Sequence, residues 1–156
     1  MKKEEKLISQ LRKQKLSIAL AESCSGGYAS YLLTKTAGAS EVFRGAIIVY
    51  SLSSKNKFFS IPLNTLKPTQ GVSKNIVITL AKKVKKKFNT DIGAAIVGFA
   101  GPKTKKGVKA GTVFIGISLA KKILSKKIVI KGSRDQVRKK ASSTLIDLLC
   151  KNITIK

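Results

Sequence analysis

A chain of 156 residues with 43% apolar content is long enough to bury one hydrophobic core and too short for two ordinary domains, so residues 1–156 are expected to form a single domain. Thirty-two Lys and Arg against seven Asp and Glu leave a net charge of +25, which favours anionic partners. The absence of His excludes a Ser-His-Asp triad, a Cys-His dyad, an HExxH zinc site and any imidazole base.

Leu7, Ile8 and Leu11 recur at helical spacing in a charged segment and predict a short amphipathic opening helix. Leu16–Ala21 has the length and apolar density of a buried strand, followed by the turn Glu22-Ser23-Cys24-Ser25-Gly26-Gly27 and a helix carrying Tyr28, Tyr31 and Leu32. Phe43–Tyr50 is the next strand. Pro62, Pro68 and Gly71 mark loops, and Ser73 caps a helix to Phe88 with Ile76, Leu80, Val84 and Phe88 on one face and lysines on the other. Ile92–Phe99 is a third strand, Lys103–Lys109 a basic loop and Gly111–Leu119 a fourth strand. Lys122–Lys131 is a fifth, polar in its middle as suits an edge. Ser133 caps a last helix with Val137, Ala141, Leu145 and Leu148 on one stripe. This alternation predicts an α/β fold: a central, mostly parallel sheet with helices on both faces.

The two cysteines, Cys24 and Cys150, lack metal-ligand spacing and the density of a disulfide scaffold, which suits a reduced cytoplasmic setting. The charged N-terminus is followed by no signal-like apolar run, and no stretch approaches the roughly 20 apolar residues that cross a bilayer, so no membrane partner is expected. The lysines are spread along the chain without interleaved aromatics. Compositional drift towards Lys accounts for them as well as non-specific nucleic-acid contact does.

Ligand sites in open α/β sheets gather outside the carboxyl ends of the strands. Here those ends carry Glu22-Ser23, Tyr50-Ser51, Gly98 to Pro102 and Gly132-Ser133-Arg134. A serine between a strand and a Gly-Gly turn can expose its hydroxyl, with the N–H groups of Ser25, Gly26 and Gly27 facing an anion or oxyanion; alternatively Ser23 or Ser25 is a plain helix cap. Without His, the base for a Ser23 nucleophile must be Lys or Tyr, and Tyr50 and Lys55 could converge beside it. Lys55 would need desolvation to lower its pKa, or else it is one more solvated lysine. Arg134 and Arg138, at the start of the last helix, are candidates for a substrate phosphate or are surface residues.

Ala21-Glu22-Ser23-Cys24-Ser25-Gly26-Gly27, Gly45, Tyr50-Ser51, Lys55, Gly71-Val72-Ser73, Gly98-Phe99-Ala100-Gly101-Pro102, Gly111-Thr112-Val113 and Arg134 with Val137-Arg138 together resemble the CinA C-terminal domain family, in order and over nearly the whole chain. That family contains the nicotinamide-nucleotide amidases. The resemblance implies a three-layer α/β/α sandwich with a mixed five-stranded sheet, here as a stand-alone domain. It implies hydrolysis of nicotinamide mononucleotide to nicotinate mononucleotide and ammonia, with no cofactor and no metal. Ser23 would be the nucleophile, with Lys55 and Tyr50 moving protons. Substrate contacts would fall to Glu22, Ser25, Gly26, Gly27, Gly98, Ala100, Gly101, Thr112, Arg134 and Arg138, with a homo-oligomer expected. The chain departs from the family pattern at Val97, Leu52 and Ser53, and Lys103-Thr104-Lys105-Lys106-Gly107 replaces a glycine-rich loop. A competing reading keeps the fold as a binding protein for nucleotide or nucleic acid, with the amidase chemistry weakened or lost.

Overall fold

A computed structural model describes residues 1–153. In chain order the elements are α1 (Lys3–Lys13), β1 (Ile18–Glu22), α2 (Tyr28–Thr34), α3 (Ala39–Val42), β2 (Phe43–Ile48), α4 (Leu52–Phe59), α5 (Leu63–Leu66), a 3-10 turn (Lys67–Thr69), α6 (Lys74–Phe88), β3 (Ile92–Gly98), β4 (Thr112–Ser118), β5 (Ile123–Val129) and α7 (Arg134–Asn152). They form a five-stranded mixed sheet in the order β2-β1-β3-β4-β5. β1 pairs in parallel with both β2 and β3, while β4 is antiparallel to β3 and to β5, so every strand but β4 points the same way.

The chain leaves β1 for β2 on one side and then returns across β1 to β3 on the other. Right-handed crossovers taken in opposite directions put their helices on opposite faces of the sheet. Accordingly α2 and α3, joined by α1 and α7, cover one face, and α4 to α6 cover the other. Strand alternation divides the core between them. Ile18, Leu20, Ala94 and Ile96 pack towards α7, and Ala19, Ala21, Ala95 and Val97 pack towards α6.

The small residues on the α6 side have a steric cause. A Cβ on Gly93 would lie 2.1 Å from the Ala81 carbonyl oxygen, and one on Gly116 would lie 2.7 Å from that of Val77, so glycine lets α6 press onto the sheet. Ser73 and Ser133 cap α6 and α7 as expected, accepting from the amides of Ile76 and Gln136. On α7 the buried stripe runs from Val137, Ala141 and Leu145 to Leu149, and the expected Leu148, one residue earlier and so about 100° round the helix from Leu149, is half-buried. β5 is the half-exposed edge that its lysines suggest.

The differences are local. The opening helix extends back to Lys3, stabilised by Glu4 and Glu5 in its first turn. Helix α5 and the 3-10 turn stand where Pro62, Pro68 and Gly71 mark loops, and α3 falls in a stretch to which the sequence assigns no element. Each has four residues or fewer, too few to show a period. Among the described residues no helix is long and apolar enough to cross a membrane.

Candidate active site

β1 is where successive connections leave in opposite directions, so a crevice opens beyond its carboxyl end. Ser23 stands there, directly after the strand, with its amide donating to the Ile96 carbonyl of β3 at 3.0 Å. The chain then turns tightly, with Gly26 at φ 57° and Gly27 at φ 94°, values an L side chain rarely adopts. Glu22 holds this turn from beneath. Its buried carboxylate accepts from the Ser25 hydroxyl at 2.7 Å, the Gly27 amide at 2.9 Å, the Ser30 amide at 2.8 Å and the Ser30 hydroxyl at 2.6 Å, with a longer contact from Ala29 N at 3.3 Å.

The anion at the N-terminus of α2 is therefore the protein's own, which corrects two expectations. Glu22 serves the turn and does not face the crevice. Of the three turn amides, Gly26 N is already spent on the Ser23 carbonyl and Gly27 N on Glu22. The third, the Ser25 amide, has no acceptor among the described residues.

Lys55 reaches Ser23 from α4. Ser51 starts that helix by accepting from Ser54 N at 3.0 Å, which places Lys55 one turn in, on the buried side. Only 2% of Lys55 is exposed, and it is among the largest fully buried side chains of the protein. Its Nζ lies 3.0 Å from Ser23 Oγ, 2.8 Å from the Val49 carbonyl oxygen and 3.5 Å from that of Tyr50. Among the described residues no carboxylate bonds to it. Burial penalises the ammonium and lowers its pKa from 10.5 to about 8. Gly71, at φ 74°, makes the burial sterically feasible, since a Cβ there would come within 3.3 Å of the Lys55 stem and 3.0 Å of Leu52.

The remaining candidates separate into two groups. Ser23, Tyr50, Lys55, Gly98, Ala100 and Arg134 line one cleft of about 180 Å³. Tyr50 is more than half exposed and turns its hydroxyl to Arg134, from which it accepts, so the ring does not bridge Ser23 and Lys55; only its backbone carbonyl approaches the amine. Arg134 also donates to the Gly101 carbonyl at 2.7 Å, which fixes the loop after β3.

Thr112 and Arg138 lie outside the cleft lining. Thr112 is buried, with its hydroxyl donating to the Lys109 carbonyl at 2.7 Å. Arg138 donates to the Ser25 carbonyl at 3.2 Å and sits over Gly26, where a Cβ would meet its Nη2 at 3.2 Å, so it braces the turn from outside. Ser25, Gly26 and Gly27 likewise build the turn beside the cleft. A Cβ on Gly98 would fall 2.8 Å from the Thr112 carbonyl oxygen, which accounts for glycine there by packing.

Sequence reasoning missed Gln70, Val72, Phe99 and Lys103 as cleft residues, although Gly71-Val72 and Phe99 fall within the motifs already noted. Cys24 also lines the cleft, but burial raises its thiol pKa to about 12 and leaves it protonated at neutral pH. Val97 is buried in the α6-side core, and Leu52 packs beside Gly71. A wider hollow of about 550 Å³ between α1 and α2 brings no nucleophile to a base.

The model of the CinA C-terminal domain family matches residues 1–153. A CinA-like protein of Kosmotoga olearia is 35% identical over 147 residues, covering 94% of this chain and 36% of that protein. One of Cytophaga hutchinsonii is 34% identical over 140 residues, covering 89% of this chain and 34% of that protein. The chain thus spans about a third of the length of these curated relatives. Among solved structures, a competence or damage-inducible protein from Enterobacter asburiae superposes with a TM-score of 0.93 at 27% identity, covering 97% of this chain and 96% of that one. A CinA superfamily protein from Enterobacter cloacae gives 0.92 at 27% identity, with coverages of 97% and 90%. With the family model spanning almost every residue and the same sheet in these neighbours, the chain belongs to the CinA C-terminal domain family.

Proposed function

We propose that this domain is a serine amidohydrolase that deamidates nicotinamide mononucleotide through an acyl-enzyme on Ser23. The observation that carries the reading is the 3.0 Å contact between Ser23 Oγ and a buried Lys55 amine whose pKa is lowered to about 8. An ammonium cannot accept a proton, but a neutral amine can. It keeps two N–H groups for the Val49 and Tyr50 carbonyls and turns its lone pair to the serine hydroxyl. Lys55 then takes the Ser23 proton as Oγ adds to the amide carbon. It returns the proton to the departing nitrogen, so that ammonia leaves, and water attacking the ester completes the hydrolysis with Lys55 as base again.

The free Ser25 amide is a candidate donor to the developing oxyanion. Tyr50 acts by its carbonyl on Lys55 and by its hydroxyl on Arg134, which would meet the anionic end of the substrate.

Ammonia release from nicotinamide mononucleotide by the wild type and by Ser23→Ala tests the reading. Ser23→Ala is expected to lose turnover by about three orders of magnitude or more at near wild-type thermal stability. A variant that keeps full activity would remove Ser23 from the chemistry. No release by the wild type, combined with duplex-DNA affinity that falls steeply with salt, would favour the binding-protein reading motivated by the charge of +25.

A further inference from the structure

The loop between β3 and β4 carries Lys103, Lys105, Lys106 and Lys109, and two contacts hold it over the cleft. Arg134 donates to its Gly101 carbonyl from one side. Lys105 donates to the Pro68 carbonyl on the opposite wall, two residues before the cleft residue Gln70. With both ends fastened, Lys103 falls in the cleft lining together with Ser23 and Arg134.

The charged groups of that lining are Lys55, Lys103 and Arg134, with no carboxylate among them. Lys55 is committed to Ser23 and two carbonyls. Arg134 uses one N–H on Gly101 and one on Tyr50, so three of its five remain. Neither Lys103 nor Arg134 forms an ion pair among the described residues, although the chain's carboxylates hold other cations in such pairs. A planar fork and a point charge at one mouth suit a doubly charged phosphate monoester better than a monoanionic carboxylate.

We infer that Lys103 pairs with Arg134 to bind the phosphate of a mononucleotide, and that this lysine sets the preference for phosphorylated substrate over the corresponding nucleoside. The inference rests on the amidase reading for the identity of the base, but not for the phosphate contact. Lys103 is exposed and reaches the cleft from a loop, so removing its side chain leaves the core and the Ser23–Lys55 pair intact.

The test is calorimetric binding of nicotinate mononucleotide and of nicotinate riboside to the wild type, Lys103→Met and Lys103→Arg at physiological salt, together with ammonia-release kinetics. Lys103→Met is expected to weaken mononucleotide binding about ten- to a hundredfold, the range of one charge-assisted contact, and to leave riboside binding unchanged. Lys103→Arg should bind as the wild type does. The KM for nicotinamide mononucleotide should follow the binding change, with kcat within about twofold.

Unchanged mononucleotide affinity in Lys103→Met, equal weakening of both ligands, or no mononucleotide binding by the wild type overturns the inference. The two readings fail separately. Lys103-dependent binding without ammonia release sinks the amidase reading and keeps the phosphate site, while ammonia release with Lys103-independent affinity does the reverse.

Discussion

Replacing Lys55 with Met separates the catalytic role of this side chain from its effect on stability. In the folded chain its pKa is about 8, against 10.5 for an ordinary lysine, so keeping it charged inside the fold costs about 3 kcal/mol at pH 7. The folded value is the lower one, so the unfolded chain binds more protons between the two values. Stability therefore rises with pH across that window, and the full penalty applies below it. From pH 7 to pH 9.5 the wild type should recover about 2 kcal/mol from this group.

Methionine has nearly the same length and no charge. It removes the penalty but leaves the Val49 carbonyl without its 2.8 Å donor, a loss of about 1–3 kcal/mol. Lys55→Met should therefore match or exceed wild-type stability at pH 7, and its advantage should shrink by about 2 kcal/mol at pH 9.5. Urea denaturation of both proteins at the two pH values measures this, because every other lysine cancels in the difference. Ammonia release should fall by at least about a hundredfold. A stability difference that does not change with pH would refute the desolvated-cation argument, and retained turnover would refute the assignment of the base.

The pH profile of kcat/KM should climb with an apparent pKa of about 8 as Lys55 loses its proton, and Lys55→Arg, which cannot deprotonate, should be as inactive as Lys55→Met; rescue by arginine would make the side chain an electrostatic anchor. Glu22→Gln puts an NH₂ group against amide and hydroxyl donors at 2.6–2.9 Å, so stability should drop by about 2–3 kcal/mol with activity lost in parallel; a stable, inactive variant would instead place Glu22 in the chemistry. Gly93→Ala sets a methyl group 2.1 Å from the Ala81 carbonyl oxygen and should lower the thermal midpoint by several degrees, about 1–3 kcal/mol or more, by lifting α6; an unchanged melting curve would mean that the helix has room to shift.

Features that depend on local pattern were legible from the chain alone. Ser73 and Ser133 announce their helices because a cap and a repeating apolar face lie within a few turns of each other, and every strand core except that of the edge strand β5 shows as a compact apolar run. The Ser23-to-Gly27 turn was legible for the same reason, since glycines that permit positive φ are adjacent in sequence. The absence of His by itself narrows the base for Ser23 to lysine or tyrosine.

What separates Lys55 from the other lysines is tertiary. Its burial requires α4 to pack against the end of β1, thirty-two residues upstream at Ser23, with Gly71 making room for its stem. The Tyr50 hydroxyl, by contrast, is claimed by Arg134 from eighty-four residues away, which no spacing rule could indicate. Glu22 looked like a site residue because it adjoins Ser23, yet consecutive residues at a strand end face opposite sides, and the helix N-terminus beneath takes its carboxylate. Lys103 is one of several loop lysines until Lys105 and Arg134 fasten the loop across the cleft. Residue type and short-range order determined which elements form and which groups are available for chemistry. The desolvation that shifts Lys55 towards neutrality, and the choice of cations that share its cleft, arose only when distant segments excluded water together.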